Sequence, residues 1–306
     1  MDNVISQMLM MLLMVLIGFG SHKFKLLGGD FDRQLSNLVI NLTCPCLILS
    51  SVMGDEFPER RLILPLLLTG GLTYIILFVV CSQFPRLYVK DRSVRGMHSF
   101  MLMFANVGFI GYPVTASIFG QRAVFYASLL NVANTLAVFV CGVIFVLGPQ
   151  ELERHRFNWR VLYCPSLVAS YLSILIVVLG IDNIPQEISQ PLRMVGNVTV
   201  PGSLLIIGSS MAAMNFRRLL GGPAVFVTSF CRLTVVPVSV FFLYSLIGID
   251  NTINNINTLL IGMPVASFGT MFCLKYQRDE TLMVQGTMLT TIASVLTIPL
   301  LTLLFK

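Results

Sequence analysis

The sequence predicts an all-α polytopic membrane protein, built as ten transmembrane helices in two inverted five-helix repeats. Three observations lead there. Only 11% of the 306 residues are charged and 56% are hydrophobic, whereas soluble proteins carry about 25% charge, and mean hydropathy is +0.84. The apolar residues fall into ten runs of about the length that crosses a bilayer, roughly 20 residues. Two motifs of the first half also recur, in order, in the second. A supply of polar residues this small cannot cover a soluble surface. Nucleic-acid binding, a disulfide-stapled scaffold and a soluble enzyme are therefore excluded.

The predicted spans are about 4–20, 34–53, 62–83, 97–118, 122–147, 162–180, 191–213, 223–248, 255–275 and 281–304. The first is read as a retained span: Asp2 stands where a signal peptide would be basic, and the apolar run is long. The second carries Asn41 and Pro45, and the seventh Asn197 and Pro201. The fourth holds Asn106, Gly108, Gly111 and Pro113; the ninth holds Gly262, Pro264, Ser267, Gly269 and Thr270. Asn131 and Asn134, three residues apart in the fifth, share a helical face. The eighth contains Arg232, and the tenth offers Gln285 and Thr287 as cavity candidates by repeat symmetry. The seven cysteines lie in or beside apolar runs and read as small buried residues, with no metal-like spacing.

Orientation follows from the basic residues. The loops around Lys23, Arg86, Arg154, Arg217 and Lys275 hold 14 Lys and Arg, against 5 at Arg60, Arg61, Arg122, Arg193 and Lys306. The richer set is assigned to the cytoplasm, which leaves both termini outside. All 14 acidic residues fall in loops or at span ends, so a carboxylate proton relay within the membrane has no residue to use. His98, at the cytoplasmic end of the fourth span, reads as an interfacial histidine.

The segment LVINLTCPCLIL (38–49) aligns without a gap on MVGNVTVPGSLL (194–205), and Gly111-Tyr-Pro113-Val114 matches Gly262-Met-Pro264-Val265. The chain thus divides into a repeat over 1–150 and a second over 151–306. Five spans per half is an odd number, so the halves must be oppositely oriented, an architecture common among secondary transporters. Proline inside a helix removes a backbone hydrogen bond and clashes with the preceding turn. In a membrane the freed groups are tolerated where protein or a watery cavity surrounds them. Gly/Pro-interrupted segments in corresponding positions therefore point to a midplane site, where a half-helix N-terminus favours an anion. Proline kinks with a packing role alone are the alternative.

The stretch Asn106-Val-Gly-Phe-Ile-Gly111-Tyr-Pro113 resembles the crossover segment of the auxin efflux carrier family, which includes plant PIN-type carriers and bacterial organic-acid permeases. Met-Pro264 through Phe272-Cys-Leu-Lys275-Tyr276 is similar to the matching later segment, and the second and tenth spans also fit. The resemblance implies broken helices 4 and 9 crossing near the midplane, a carboxylate substrate beside the crossing, and elevator-like movement. It assigns substrate contact to Asn106, with Pro113 the proline that follows it. Pro264 is the candidate second breaker. The plant carriers' long central loop is missing, as in bacterial members, which suggests a bacterial inner membrane and leaves the plant hormone in doubt as substrate.

The candidate substrate-binding set is therefore Asn106, Gly111, Pro113, Pro264, Ser267, Gly269, Asn131, Asn134 and Arg232. Arg232 suits a carboxylate through its fork geometry; a structural arginine bonded to a carbonyl beside Pro237 is the alternative. Asn131 and Asn134 either line the cavity or satisfy backbone. The expected partners are a small organic carboxylate and the lipid bilayer, with a homodimer as the candidate assembly, and no cofactor, metal or nucleic acid. The expected function is a secondary transporter, a non-enzyme; a passive anion channel and a membrane sensor are the alternatives.

Overall fold

In the computed structural model, the described residues are 2–53, 58–147, 163–181, 184–213, 221–276 and 278–305. The central stretch 148–161, with its basic Arg154, Arg156 and Arg160, lies outside them, as do Arg217, Arg218 and Lys306. The described residues are helical, without a named strand. Among them, five helices are long and apolar enough to cross a membrane: Arg60–Leu87, Arg122–Leu147, Gln186–Ala213, Pro223–Ile247 and Thr281–Thr302. The chain is a multi-pass membrane protein.

In chain order the α-helices are α1 (Asp2–Lys23), α2 (Gly29–Leu38), α3 (Cys44–Ser50), α4 (Ile63–Gln83), α5 (Arg95–Met103), α6 (Tyr112–Phe119), α7 (Arg122–Ala137) and α8 (Val143–Leu147). Then follow α9 (Pro165–Leu179), α10 (Gln186–Asn197), α11 (Thr199–Ala213), α12 (Pro223–Phe230), α13 (Val236–Ile247), α14 (Asn251–Ile261), α15 (Phe268–Lys275) and α16 (Thr281–Thr302). Their ends have local causes. Pro165 opens α9, where its missing N–H costs nothing, and Gly180 closes it at a φ of 70 that glycine tolerates. The Asp250 carboxylate caps α14 by accepting from the Thr252 N–H at 2.8 Å.

Three intramembrane prolines share one solution. Pro45, Pro113 and Pro237 are each the second residue of an α-helix, entered from a π-helical turn over Val39–Thr43, Val107–Gly111 and Cys231–Val235. The wider turn accommodates a ring that would collide with the carbonyl four residues earlier. The sequence expects the fourth span to be interrupted in the stretch from Asn106 to Pro113, with Asn106 at the break. Pro113 is absorbed into α6, and the chain leaves the helical path at Phe104, which is extended at φ −105, ψ 124.

The chain forms two compact units, and each draws segments from both sides of residue 150. The first comprises Met1–Leu67, Val107–Val132 and Leu162–Met214. Within it α1 and α11 approach so closely that Gly18 faces the Leu205 backbone and Gly208 faces the backbone of Val15 and Phe19. Small residues are what permit such contact between membrane helices. In the same unit the buried Thr199 hydroxyl donates to that of Thr43 at 2.9 Å. These are the two threonines that the repeat alignment equates.

The second unit comprises Leu68–Asn106, Ala133–Val161 and Asn215–Lys306. Its apolar core includes Phe100, Met101, Phe104, Phe272, Cys273 and Met283. It also carries a buried polar network on α14. Asn257 donates to the Thr73 hydroxyl at 3.1 Å, which meets the Tyr244 phenol at 2.7 Å, and Asn254 donates to the Phe241 carbonyl at 3.0 Å. These bonds tie α14 to α4 and α13, and satisfy side chains that would be costly to bury alone.

Candidate functional site

Two non-helical stretches of the second unit lie side by side. One, Phe104–Asn106, follows α5; the other, Met263–Ser267, links α14 to α15. Ala105 and Val265 form an antiparallel pair. The Asn106 N–H donates to the Pro264 carbonyl at 2.8 Å, and the Ala266 N–H donates to the Phe104 carbonyl at 3.0 Å. Buried backbone needs such partners wherever a helix stops supplying them. The residue before a proline also disfavours the α conformation, which helps end the helical path at Met263.

A third element completes the pairing. The Val265 N–H donates to the Thr290 hydroxyl at 3.1 Å, while that hydroxyl donates back to the Gly286 carbonyl at 2.7 Å. Thr290 is fully buried. Thr290→Val preserves shape and leaves the Val265 N–H without an acceptor, at a cost of about 1–3 kcal/mol. A thermal melt of the purified variant checks this; a melting temperature equal to wild type would remove Thr290 from the pairing.

The exposed part of the pairing is small. The Asn106 carboxamide, half-buried, donates to the Ser267 hydroxyl at 3.3 Å, and Ser267 is exposed. Ser267 immediately precedes α15, whose first N–H groups carry the positive end of the helix dipole. A carboxamide, an exposed hydroxyl and a helix start are thus neighbours here, and groups of these kinds can donate to a carboxylate.

The other sequence candidates distribute as follows. Pro264 is buried and acts through its carbonyl. Gly269 is buried beneath the site, where a methyl group would stand 2.7 Å from the Phe100 ring and 2.8 Å from the Met283 sulfur. Gly111 and Pro113 are buried in the first unit, and there Asn131 donates to the Tyr112 phenol at 2.8 Å. Asn134 belongs to the second unit and is 6% exposed. Arg232 is wholly buried, with Nη1 donating to the Leu102 carbonyl at 3.1 Å.

His98 is buried within the protein. It is 1% exposed, its Nδ1 lies 2.6 Å from the Thr228 hydroxyl, and the Tyr88 ring from the loop that precedes α5 packs edge-on against it. Two loop carboxylates lie outside the spans. Asp91 is held below the usual carboxylate range by bonds from the Ser93 hydroxyl and N–H, and Asp279 by bonds from Thr281. Both stay ionised around neutrality, so neither is a proton carrier there.

Sequence reasoning missed Thr290 and the α14 asparagines. The run NTINNINT (251–258), four asparagines leading into the ninth span, was a readable signal. Thr290 had none, since threonine is common in the tenth span.

A multi-pass helical protein with paired non-helical stretches inside its membrane-crossing region has the construction of a transporter. The family described as membrane transport protein matches residues 3–157 and 154–302, and the chain belongs to it; this is the PIN-like auxin efflux carrier family that the sequence resembles. An uncharacterized transporter of Methanocaldococcus jannaschii is 26% identical over 305 residues, covering 95% of this chain and 96% of that protein. One of Methanothermobacter thermautotrophicus is 25% identical over 304 residues, covering 95% of each.

Proposed function

We propose that this protein is a secondary transporter of small organic carboxylate anions, with Asn106, Ser267 and the start of α15 receiving the carboxylate. The observation that carries this reading is the pairing of Phe104–Asn106 with Pro264–Ala266, which leaves Asn106 and Ser267 together at the surface of the second unit. The architecture proposed is ten helices in two inverted repeats, 1–150 and 151–306, with helices 4 and 9 crossing at this pairing. The Thr43–Thr199 contact supports it, because residues equated by a two-fold relation meet each other where they approach the axis. The pairing and its carboxamide lie wholly within one compact unit. Such a site can travel as one body, which favours elevator-type alternating access.

The test is a screen of small carboxylates by thermal stabilisation, since a ligand stabilises the state it binds, followed by uptake into proteoliposomes. Saturable uptake of a stabilising acid supports the reading. Non-saturable flux would favour a pore, and stabilisation without flux a sensor. Orientation is read separately: a cysteine placed at Arg154 should resist a membrane-impermeant thiol reagent in intact cells, and one at Lys306 should react.

A further inference from the structure

We infer that Arg232 sets the anion preference of the Asn106 site without touching the anion: its buried charge answers the negative end of α5 and leaves positive potential at the crossing. This rests on the reading of Asn106 as an anion site. Arg232 lies in the π-helical turn Cys231–Val235 and is 0% exposed. A guanidinium stays protonated in proteins, and a buried charge demands a counter-charge. No carboxylate occurs in any predicted span. Among the described residues, Arg232 donates to the Leu102 carbonyl, in the last turn of α5, while Nε and Nη2 are buried with no hydrogen-bond partner there.

The end of α5 explains why a cation is needed there. At Phe104 the chain turns extended, and the Asn106 N–H is committed to the Pro264 carbonyl. It cannot return to the carbonyls of the last turn. The end of α14 differs. Gly262 remains helical at φ −72, ψ −3 and donates to the Thr258 carbonyl at 2.9 Å, and Met263 donates to the Leu260 carbonyl at 3.3 Å. That terminus closes on itself and has no arginine.

A helix C-terminus carries about half a negative charge, so a full guanidinium charge leaves a positive surplus. Leu102 and Asn106 are four residues apart, at most about 14 Å along an extended chain. A unit charge on the order of 15 Å away, at an effective dielectric near 20, changes anion binding roughly sixfold. A neutral ligand of the same shape is unaffected.

The test uses purified full-length protein with acetate, malonate and succinate, each paired with its amide, as thermal-stabilisation probes. Arg232→Gln keeps a donor for Leu102 and removes the charge; Arg232→Lys keeps the charge and loses the planar fork. The expected result is a roughly sixfold fall in acid affinity for Arg232→Gln with amide affinity unchanged, and an acid preference within about twofold of wild type for Arg232→Lys. Equal losses for acid and amide in Arg232→Gln would overturn the inference. If Arg232→Gln does not fold, Arg232→Lys decides: retained preference supports action at a distance, and lost preference overturns it. If none of the acids binds wild type, the anion-site reading fails for these probes, and a double-mutant cycle still tests the field. Asn106→Asp should lower the melting temperature about 2 °C more in the Arg232→Gln background than in the wild-type background, where the charge is present; additive losses would overturn the inference.

Discussion

Asn106→Ala will bind small carboxylates about ten- to a hundredfold more weakly than wild type, and Asn106→Asp more weakly still. The alanine removes a donor whose bond to a charged group is worth about 1.5–3 kcal/mol. The aspartate keeps the shape but places a negative charge beside an anion. Neither change removes the pairing bond, because Asn106 donates to the Pro264 carbonyl through its backbone N–H. The alanine also removes the half-buried amide's 3.3 Å bond to Ser267, a folding cost of about 0.5–1.5 kcal/mol. Affinity and melting temperature are measured together. An aspartate variant that binds as wild type would mean that the carboxylate sits elsewhere, and two variants that fail to fold would mean that the carboxamide is a structural group.

The sequence made the membrane class legible because composition and run length report solvent directly: a chain with 11% charge has one medium to live in. It also singled out Asn106, Pro264 and Ser267, which the fold does bring together. Pro113 does not itself mark the place where the helical path is left. A proline advertises a break, yet a π-helical turn before it removes the clash, and whether that turn forms depends on packing that no local pattern encodes. At the pairing Pro264 meets Asn106, its carbonyl accepting from the Asn106 N–H. Thr290 was invisible for another reason. Its importance lies in accepting one N–H from a residue 25 positions earlier, a relation that exists only after folding. The buried state of His98 depends in the same way on Tyr88 packing against it.

Gly208→Ala will be among the most destabilising single-methyl changes in the chain, lowering stability by about 2–4 kcal/mol or preventing assembly of the first unit. On helix propensity alone the sign would be opposite, since alanine is favoured over glycine by up to about 1 kcal/mol within a helix. The contact decides otherwise. A methyl at Gly208 would run into the Val15 carbonyl oxygen and stand 2.7 Å from the Phe19 nitrogen. Both are backbone atoms of α1 and cannot swing aside as a side-chain tip would. The helices would have to separate, and in a bilayer no hydrophobic force restores the lost contact, because lipid tails are as apolar as the helix surface. Gly18 faces the Leu205 backbone from the other side of the same crossing, so Gly18→Ala should fail similarly. Gly20→Ala is the control. It lies two residues further along α1, where a methyl meets nothing within 4 Å, and should be neutral or slightly stabilising. Melting temperature and the monodisperse fraction on size exclusion separate the three. If Gly208→Ala melts with Gly20→Ala, α1 and α11 do not pack backbone to backbone, and the close crossing at the heart of the first unit is wrong.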